Sequence, residues 1–162
     1  MDATHSHHVR SFWEAYLRSL PAGAGEPGER FAAEALGDSP ELADRLAKLI
    51  LSGTKTATCS ALWEYEVEGE ALPSVGSKCV LLDGSNQPVC VLETTEVEVR
   101  PFDQVDARFA HDEGEGDRTL EHWRAAHWRF FTRTLRQIGK YPTNDMPLVC
   151  ERFQVVYQQQ EK

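Results

Sequence analysis

The chain has 162 residues, 17 Lys plus Arg against 26 Asp plus Glu, and a formal net charge of −9, a length that suits one domain burying most of its unfolded surface. Apolar residues make up 41% and charged residues 27%, the balance of a folded globular protein and not of a disordered acidic chain. Duplex DNA and polybasic membrane attachment are excluded as partners, because both need a broad Lys/Arg surface, and no apolar run approaches the roughly 20 residues that span a bilayer.

The opening residues MDATHSHHVRSF lack an apolar signal core, so a cytoplasmic location is expected, with His5, His7 and His8 in a mobile N-terminal tract. From Val9 to Leu20, Phe12, Trp13, Tyr16, Leu17 and Leu20 recur at helical spacing, and Pro21 ends the pattern. The stretch AGAGEPGE then reads as a flexible link, and Phe31 to Leu36 as a surface loop. Ser39 offers an N-cap oxygen with Pro40 at the first helical position, and Leu42, Leu46, Leu49 and Ile50 share one face. That pattern predicts a helix from Pro40 to about Ser52, closed by Gly53 in a left-handed conformation.

After Gly53 the period changes. Thr56–Tyr65, Lys78–Asp83, Pro88–Arg100 and Pro147–Tyr157 are rich in Val, Thr, Cys and aromatics between turn residues, which predicts strands. Between the third and fourth lies a helical block capped by Asp117 and ended by Gly139, with Leu120, Trp123, His127, Phe130, Phe131, Leu135 and Ile138 on its core face. His127 on that face reads as a hydrogen-bonded core histidine. Short strands joined by hairpins, with helices inserted at two places, predict an α+β fold: a small β-barrel with helices packed around it. No internal repeat or heptad array is present. Cys59, Cys79, Cys90 and Cys150 form no CxxC pair and sit mostly in apolar runs, as buried reduced thiols do.

The chemistry concentrates in Leu51-Ser52-Gly53-Thr54-Lys55-Thr56-Ala57-Thr58, where a lysine stands just past a helix end among hydroxyls. A lysine held against apolar walls loses hydration, its pKa falls, and it can then take a proton from a hydroxyl such as that of Thr58. Taken alone, the residues favour a lysine answering the negative helix end and threonines serving as ordinary strand residues. Trp63 and Tyr65 fall at alternate positions of a predicted strand, so they share a face that suits either stacking of a base or packing of Trp63 under the first helix. Arg118 and Arg124 flank a helix start where phosphate contacts are available. The acidic run HDEGEGD, with Asp112, Glu113, Glu115 and Asp117, does not match a calcium-loop pattern.

Gly53-Thr54-Lys55-Thr56-Ala57-Thr58 resembles the GxKxxT signature of the ASCH domain, a relative of the PUA fold associated with RNA. The likeness runs on through FWEAYL, LADRLAKLILSG, LWEYE, GEALPSVG, VCVLETTEV, EGEGDRTLEHW and MPLVCERFQVVY. It implies a single PUA-like ASCH domain over residues 9–158, with tails at 1–8 and 159–162. In small ASCH amidohydrolases acting on N4-acetylcytidine, the signature lysine and threonine work with a downstream glutamate. The resemblance therefore implies Lys55 as base, Thr58 as nucleophile and Glu113 as the acid that holds Lys55 or passes the proton, with Glu115 as the alternative. The expected substrate contacts are Gly53, Thr54, Trp63, Tyr65, Glu115 and Arg118, and neither cofactor nor metal is expected. An arginine usual two positions past the threonine is Ser60 here. Other members of the longer branch resemble metal-assisted ribonucleases, and a single-stranded RNA-binding module without chemistry is the third reading. The expected partner is a modified nucleoside or single-stranded RNA.

Overall fold

A computed structural model describes residues 5–21 and 30–158. Among them the helices are α1 (His7–Ser19), α2 (Pro40–Leu51), α3 (Leu62–Glu68), α4 (Ala107–Glu113) and α5 (Leu120–Leu135). The strands are β1 (Ala32–Ala35), β2 (Ala57–Ala61), β3 (Lys78–Leu82), β4 (Pro88–Pro101) and β5 (Pro147–Gln158). The Gly-rich stretch 22–29 and the ends 1–4 and 159–162 lie outside the described residues.

The strands form one sheet in the order β1-β3-β4-β5-β2, with β1 parallel to β3 and every other pairing antiparallel. Register shifts between Val91 and Leu92 and between Thr94 and Glu96 bend the long β4 against β5, as bulges do. The result is an α+β half-barrel whose edges are β1 and β2.

Each helix covers the sheet with its apolar stripe. α1 sets Val9, Phe12, Trp13 and Tyr16 against Val80 and Val91, whereas α2 sets Ala47 and Ile50 against Leu81, Cys90 and Phe153. α4 and α5 bring Phe109, Trp123, Phe131 and Leu135 onto Ala57, Ala61 and Leu148. Removing such side chains from water supplies the main driving force, roughly 1.5–3 kcal/mol for each large one.

Four elements differ from the reading of the sequence. Residues 5–8 are not a loose tract: Ser6 caps α1 by accepting from the Val9 amide, and the His5 ring stacks on Phe31 at 4.4 Å. The stretch after Phe31 is a strand, because Ala32–Ala35 pairs with Cys79–Leu82 far along the chain. Strand β2 stops at Ala61, and the alternating LWEYEVE run winds into α3, which Gly69 ends at φ 67°. Finally, Thr119 and not Asp117 caps α5; Asp117 Oδ1 accepts from the Thr119 amide at 2.9 Å and its hydroxyl at 2.6 Å, fixing the cap residue itself. Expectations for Pro40, Ser39, Gly53 and Gly139 match the structure, with Gly53 at φ 81° and Gly139 at φ 71°. All four cysteines are free thiols. No helix among the described residues is long and apolar enough to cross a membrane.

Candidate functional site

The signature loop leaves α2 at Gly53 and enters β2 at Ala57, and Lys55 lies between them with only 1% of its surface exposed. α4 docks directly on this loop. The Thr56 amide donates to the Asp112 carbonyl at 2.8 Å, and the Phe153 amide of β5 donates back to the Thr56 carbonyl at 3.2 Å. Gly114, which ends α4 at φ 75°, lets the backbones meet: a Cβ there would fall 2.5 Å from the Thr54 carbonyl oxygen. The docking places Glu113, also 1% exposed, against Lys55.

Lys55 Nζ lies 2.8 Å from the Ala57 carbonyl, 3.0 Å from Glu113 Oε1, 3.3 Å from the Glu113 carbonyl and 3.4 Å from Glu115 Oε2. Burial pushes the lysine down, but Glu113 and Glu115 outweigh it and raise its pKa above the ordinary value. The resting group is therefore an ammonium, which corrects the expectation of a lysine made basic by lost hydration. An ammonium has three protons to give, and the long contact to Glu115 is the one a ligand oxygen displaces most easily.

Glu113 is the hub. Its Oε2 accepts from Trp123 Nε1, from His127 Nε2 at 3.0 Å and from the Cys59 thiol at 3.5 Å, while Oε1 takes Lys55. Burial alone would raise this carboxyl, but Lys55, His127 and the hydrogen bonds from His127 and Trp123 hold it well below the usual carboxylate range. A carboxylate so saturated orients its neighbours and is a poor carrier of protons.

His127 also touches the Trp123 carbonyl through Nδ1 at 3.0 Å. Both ring nitrogens face acceptors, the pattern of an imidazolium. Burial lowers its pKa, yet Glu113 more than compensates and raises it. The expected hydrogen-bonded histidine of the α5 core face is found, and it also contributes to the wall of the cleft. Burial pushes the Cys59 thiol well up, and Glu113 adds to the shift. Cys59, Glu113 and His127 bring ligand atoms within 4.8 Å of one another, but a metal there would need the thiol and imidazolium protons to leave and would face the Lys55 ammonium. The donor set fits a hydrogen-bonded charge cluster and not an ion.

A cleft of about 330 Å³ opens above the cluster, and Lys55, Thr58, Cys59, Glu113, Glu115 and His127 contribute to its wall. In the β2–β5 register, Thr58 stands directly opposite Glu151, so the two side chains share a face of the sheet. Burial, then Glu34, push the Glu151 carboxyl up to about 7, while a hydrogen bond from Thr94 at 3.4 Å acts in the other direction.

Several expected contacts lie elsewhere. Gly53 is the C-terminal residue of the α2 turn, and Thr54 bonds Ser52 through the hydroxyls at 3.0 Å. Arg118 donates to the His111 carbonyl at 3.0 Å and to the Thr54 carbonyl at 3.4 Å, bracing the loop from outside. Trp63 packs half-buried on the core with Lys140 Nζ 5.5 Å over its ring, and the Tyr65 hydroxyl meets Ser60 Oγ at 3.0 Å. None of these five lines the cleft, and the shared stacking face of Trp63 and Tyr65 is lost because α3 is a helix. Arg45, Arg129 and Arg133 do line it. They are distributed over α2 and α5 with no motif to mark them.

A family model for the ASCH domain matches residues 32–157, and the chain belongs to the ASCH domain family. The crystal structure of an ASCH domain from Lactobacillus crispatus is 37% identical, with a TM-score of 0.89 over 94% of this chain and 96% of that one. A protein from Enterococcus faecalis is 38% identical, with a TM-score of 0.84 over 93% of this chain and 89% of that one. An ASCH protein from Zymomonas mobilis, 12% identical with a TM-score of 0.50 over 80% of this chain and 73% of that one, shares the fold alone. No protein of curated function matches the chain.

Proposed function

We propose that the protein hydrolyses N4-acylated cytidine, with N4-acetylcytidine as the type substrate. The observation that carries this reading is the buried Lys55 ammonium at the wall of a nucleoside-sized cleft that Thr58 also lines. In this mechanism the acyl carbonyl oxygen displaces Glu115 from Lys55, and the ammonium stabilises the negative charge that develops on that oxygen. Glu113 keeps the ammonium aimed and charged. The Thr58 hydroxyl attacks the carbonyl carbon and Glu151, opposite it on β5, takes the proton. When the carbon–nitrogen bond breaks, that proton passes to N4, releasing cytidine and leaving the acyl group on Thr58. Water then adds with Glu151 again as base, and the carboxylic acid leaves with the hydroxyl restored.

The reading is tested by incubating purified protein with N4-acetylcytidine and following cytidine release by chromatography, with and without chelator. Cytidine release unchanged by chelator is expected, and Thr58→Val should lower it by several orders of magnitude while Thr58→Ser keeps a measurable part. Absence of release, together with metal-dependent cleavage of a single-stranded oligoribonucleotide, overturns the reading in favour of a ribonuclease.

A further inference from the structure

The cleft has a charged rim that the acyl-transfer chemistry leaves unused. Arg45 comes from α2, and Arg129 and Arg133 come from one face of α5 at a spacing of four. Arg133 is committed: its fork holds Asp38 through Nε at 2.8 Å and Nη2 at 3.4 Å, and its guanidinium lies 5.7 Å over Phe130. Arg45 and Arg129 are different. Among the described residues neither guanidinium has a hydrogen-bond or ion-pair partner, although the whole chain carries a net charge of −9. Two exposed guanidinium groups from different helices line one cleft in a protein with an excess of carboxylates. The cleft also takes Glu64, Glu113 and Glu115 into its lining, and Lys55 pairs with the last two.

We infer that Arg45 and Arg129, with Arg133 locked behind them by Asp38, form a subsite for the phosphate monoester of a nucleotide whose base reaches Lys55 and Thr58. The inference rests on the proposed reading of the cleft for the position of the base. Guanidinium forks match phosphate oxygens in pairs and retain their charge at every physiological pH. A single terminal phosphate fits two open forks, whereas a long strand would feel the repulsion of the whole acidic surface. The natural substrate class is then an N4-acylated cytidine 5′-monophosphate of the kind that RNA breakdown supplies.

Calorimetric titration of the wild-type chain with cytidine, cytidine 5′-monophosphate and inorganic phosphate tests the subsite without any turnover. The monophosphate should bind at least about tenfold more tightly than cytidine, as one or two charge-assisted contacts imply, and the advantage should shrink with added salt. In the double variant Arg45→Gln/Arg129→Gln the advantage should vanish, with cytidine affinity and thermal midpoint unchanged. Equal affinity of wild type for nucleoside and monophosphate overturns the subsite, as does a preserved advantage in the double variant. Tighter binding of a single-stranded oligonucleotide lacking a terminal phosphate overturns the monoester assignment. If the monophosphate advantage is found but neither acylated nucleoside nor acylated nucleotide is hydrolysed, the subsite stands and the hydrolase reading falls. The reverse pattern, hydrolysis with the same KM for both, removes the subsite alone.

Discussion

Two glutamates of this domain are withdrawn from water, and they end at opposite extremes. Glu113 is surrounded by an ammonium, an imidazole, an indole N–H and a thiol, and its carboxyl is held well below the ordinary range. Glu151 has one hydroxyl donor and another glutamate for company, and its carboxyl rises to about 7. Burial pushes both the same way. The number and charge of the donors facing the oxygens decide the sign: an ammonium and an imidazole hold Glu113 down, whereas a single hydroxyl does not offset burial at Glu151.

The sharpest way to break that contrast is to take the charge from the hub. Glu113→Gln keeps the volume but leaves His127 a buried cation without its counter-ion and Lys55 with Glu115 alone at 3.4 Å, which should cost roughly 3–5 kcal/mol. The thermal midpoint should drop by roughly 10 °C, and a loss below about 1 kcal/mol in urea unfolding would show that Glu113 is not the keystone. The pH dependence has a definite sign. Because the folded pKa of Glu113 lies below its ordinary 4.5, the stability it lends is present above that value and is lost as pH falls. His127 acts in the other direction: its raised pKa gives stability fully present below its ordinary 6.5 and lost as pH rises through the folded value.

Glu151 should show its effect in rate. Loss of a general base typically costs about 10²–10⁴-fold, so Glu151→Gln should reduce cytidine release on that scale. Wild-type rate should climb with pH around 7, the value to which the carboxyl is pushed, and the variant should lose that limb. Stability supplies an independent check. A carboxyl with a raised folded pKa binds protons in the native state that the unfolded chain has released, so stability falls as pH rises from 4.5 to about 7. Thermal midpoints of Glu151→Gln should lack this decline. A rate that is flat across this range in the wild type would remove Glu151 from the reaction.

A smaller effect is expected from the groups that face Glu151. These are Glu34 on β1, Thr94 on β4, and Tyr65 and Cys79, which also feel its charge. Since Glu34 helps raise Glu151, Glu34→Gln should move the rising limb of the pH–rate profile to lower pH and leave the plateau rate within about twofold. An unmoved limb would show that burial alone sets the value.

Much of this arrangement was legible in the sequence, for identifiable reasons. α1, α2 and α5 carry apolar residues at helical spacing, and Ser39, Pro40, Gly53 and Gly139 mark their ends. β3, β4 and β5 are long or apolar enough to declare themselves. β1 is only AAEA, a string with little strand preference, and it exists because β3 offers it a parallel edge. α3 was concealed by its own alternation, since LWEYEVE has the period of a strand and the winding of a helix. At the site, the resemblance to the ASCH signature singled out Lys55, Thr58 and Glu113, and the structure brings all three to one cleft. The pairing of Glu151 with Thr58 was not legible because it is a matter of register between segments far apart in the chain. His127 looked like core because its neighbours on α5 are apolar, and only the docking of α4 supplies its carboxylate partner.

The contact between Gly114 and the Thr54 carbonyl gives the cleft an unexpected point of failure. The two halves of the charge pair ride on separate pieces of backbone, and those pieces are spliced at a spot with no room for even a methyl group. A wedge inserted there would prise α4 from the signature loop and draw Glu113 away from Lys55, while every ionisable residue stayed in the sequence. The pairing of Lys55 with Glu113 is therefore open to disruption through a position that has no side chain, and a survey of the reactive groups alone would miss such a lesion.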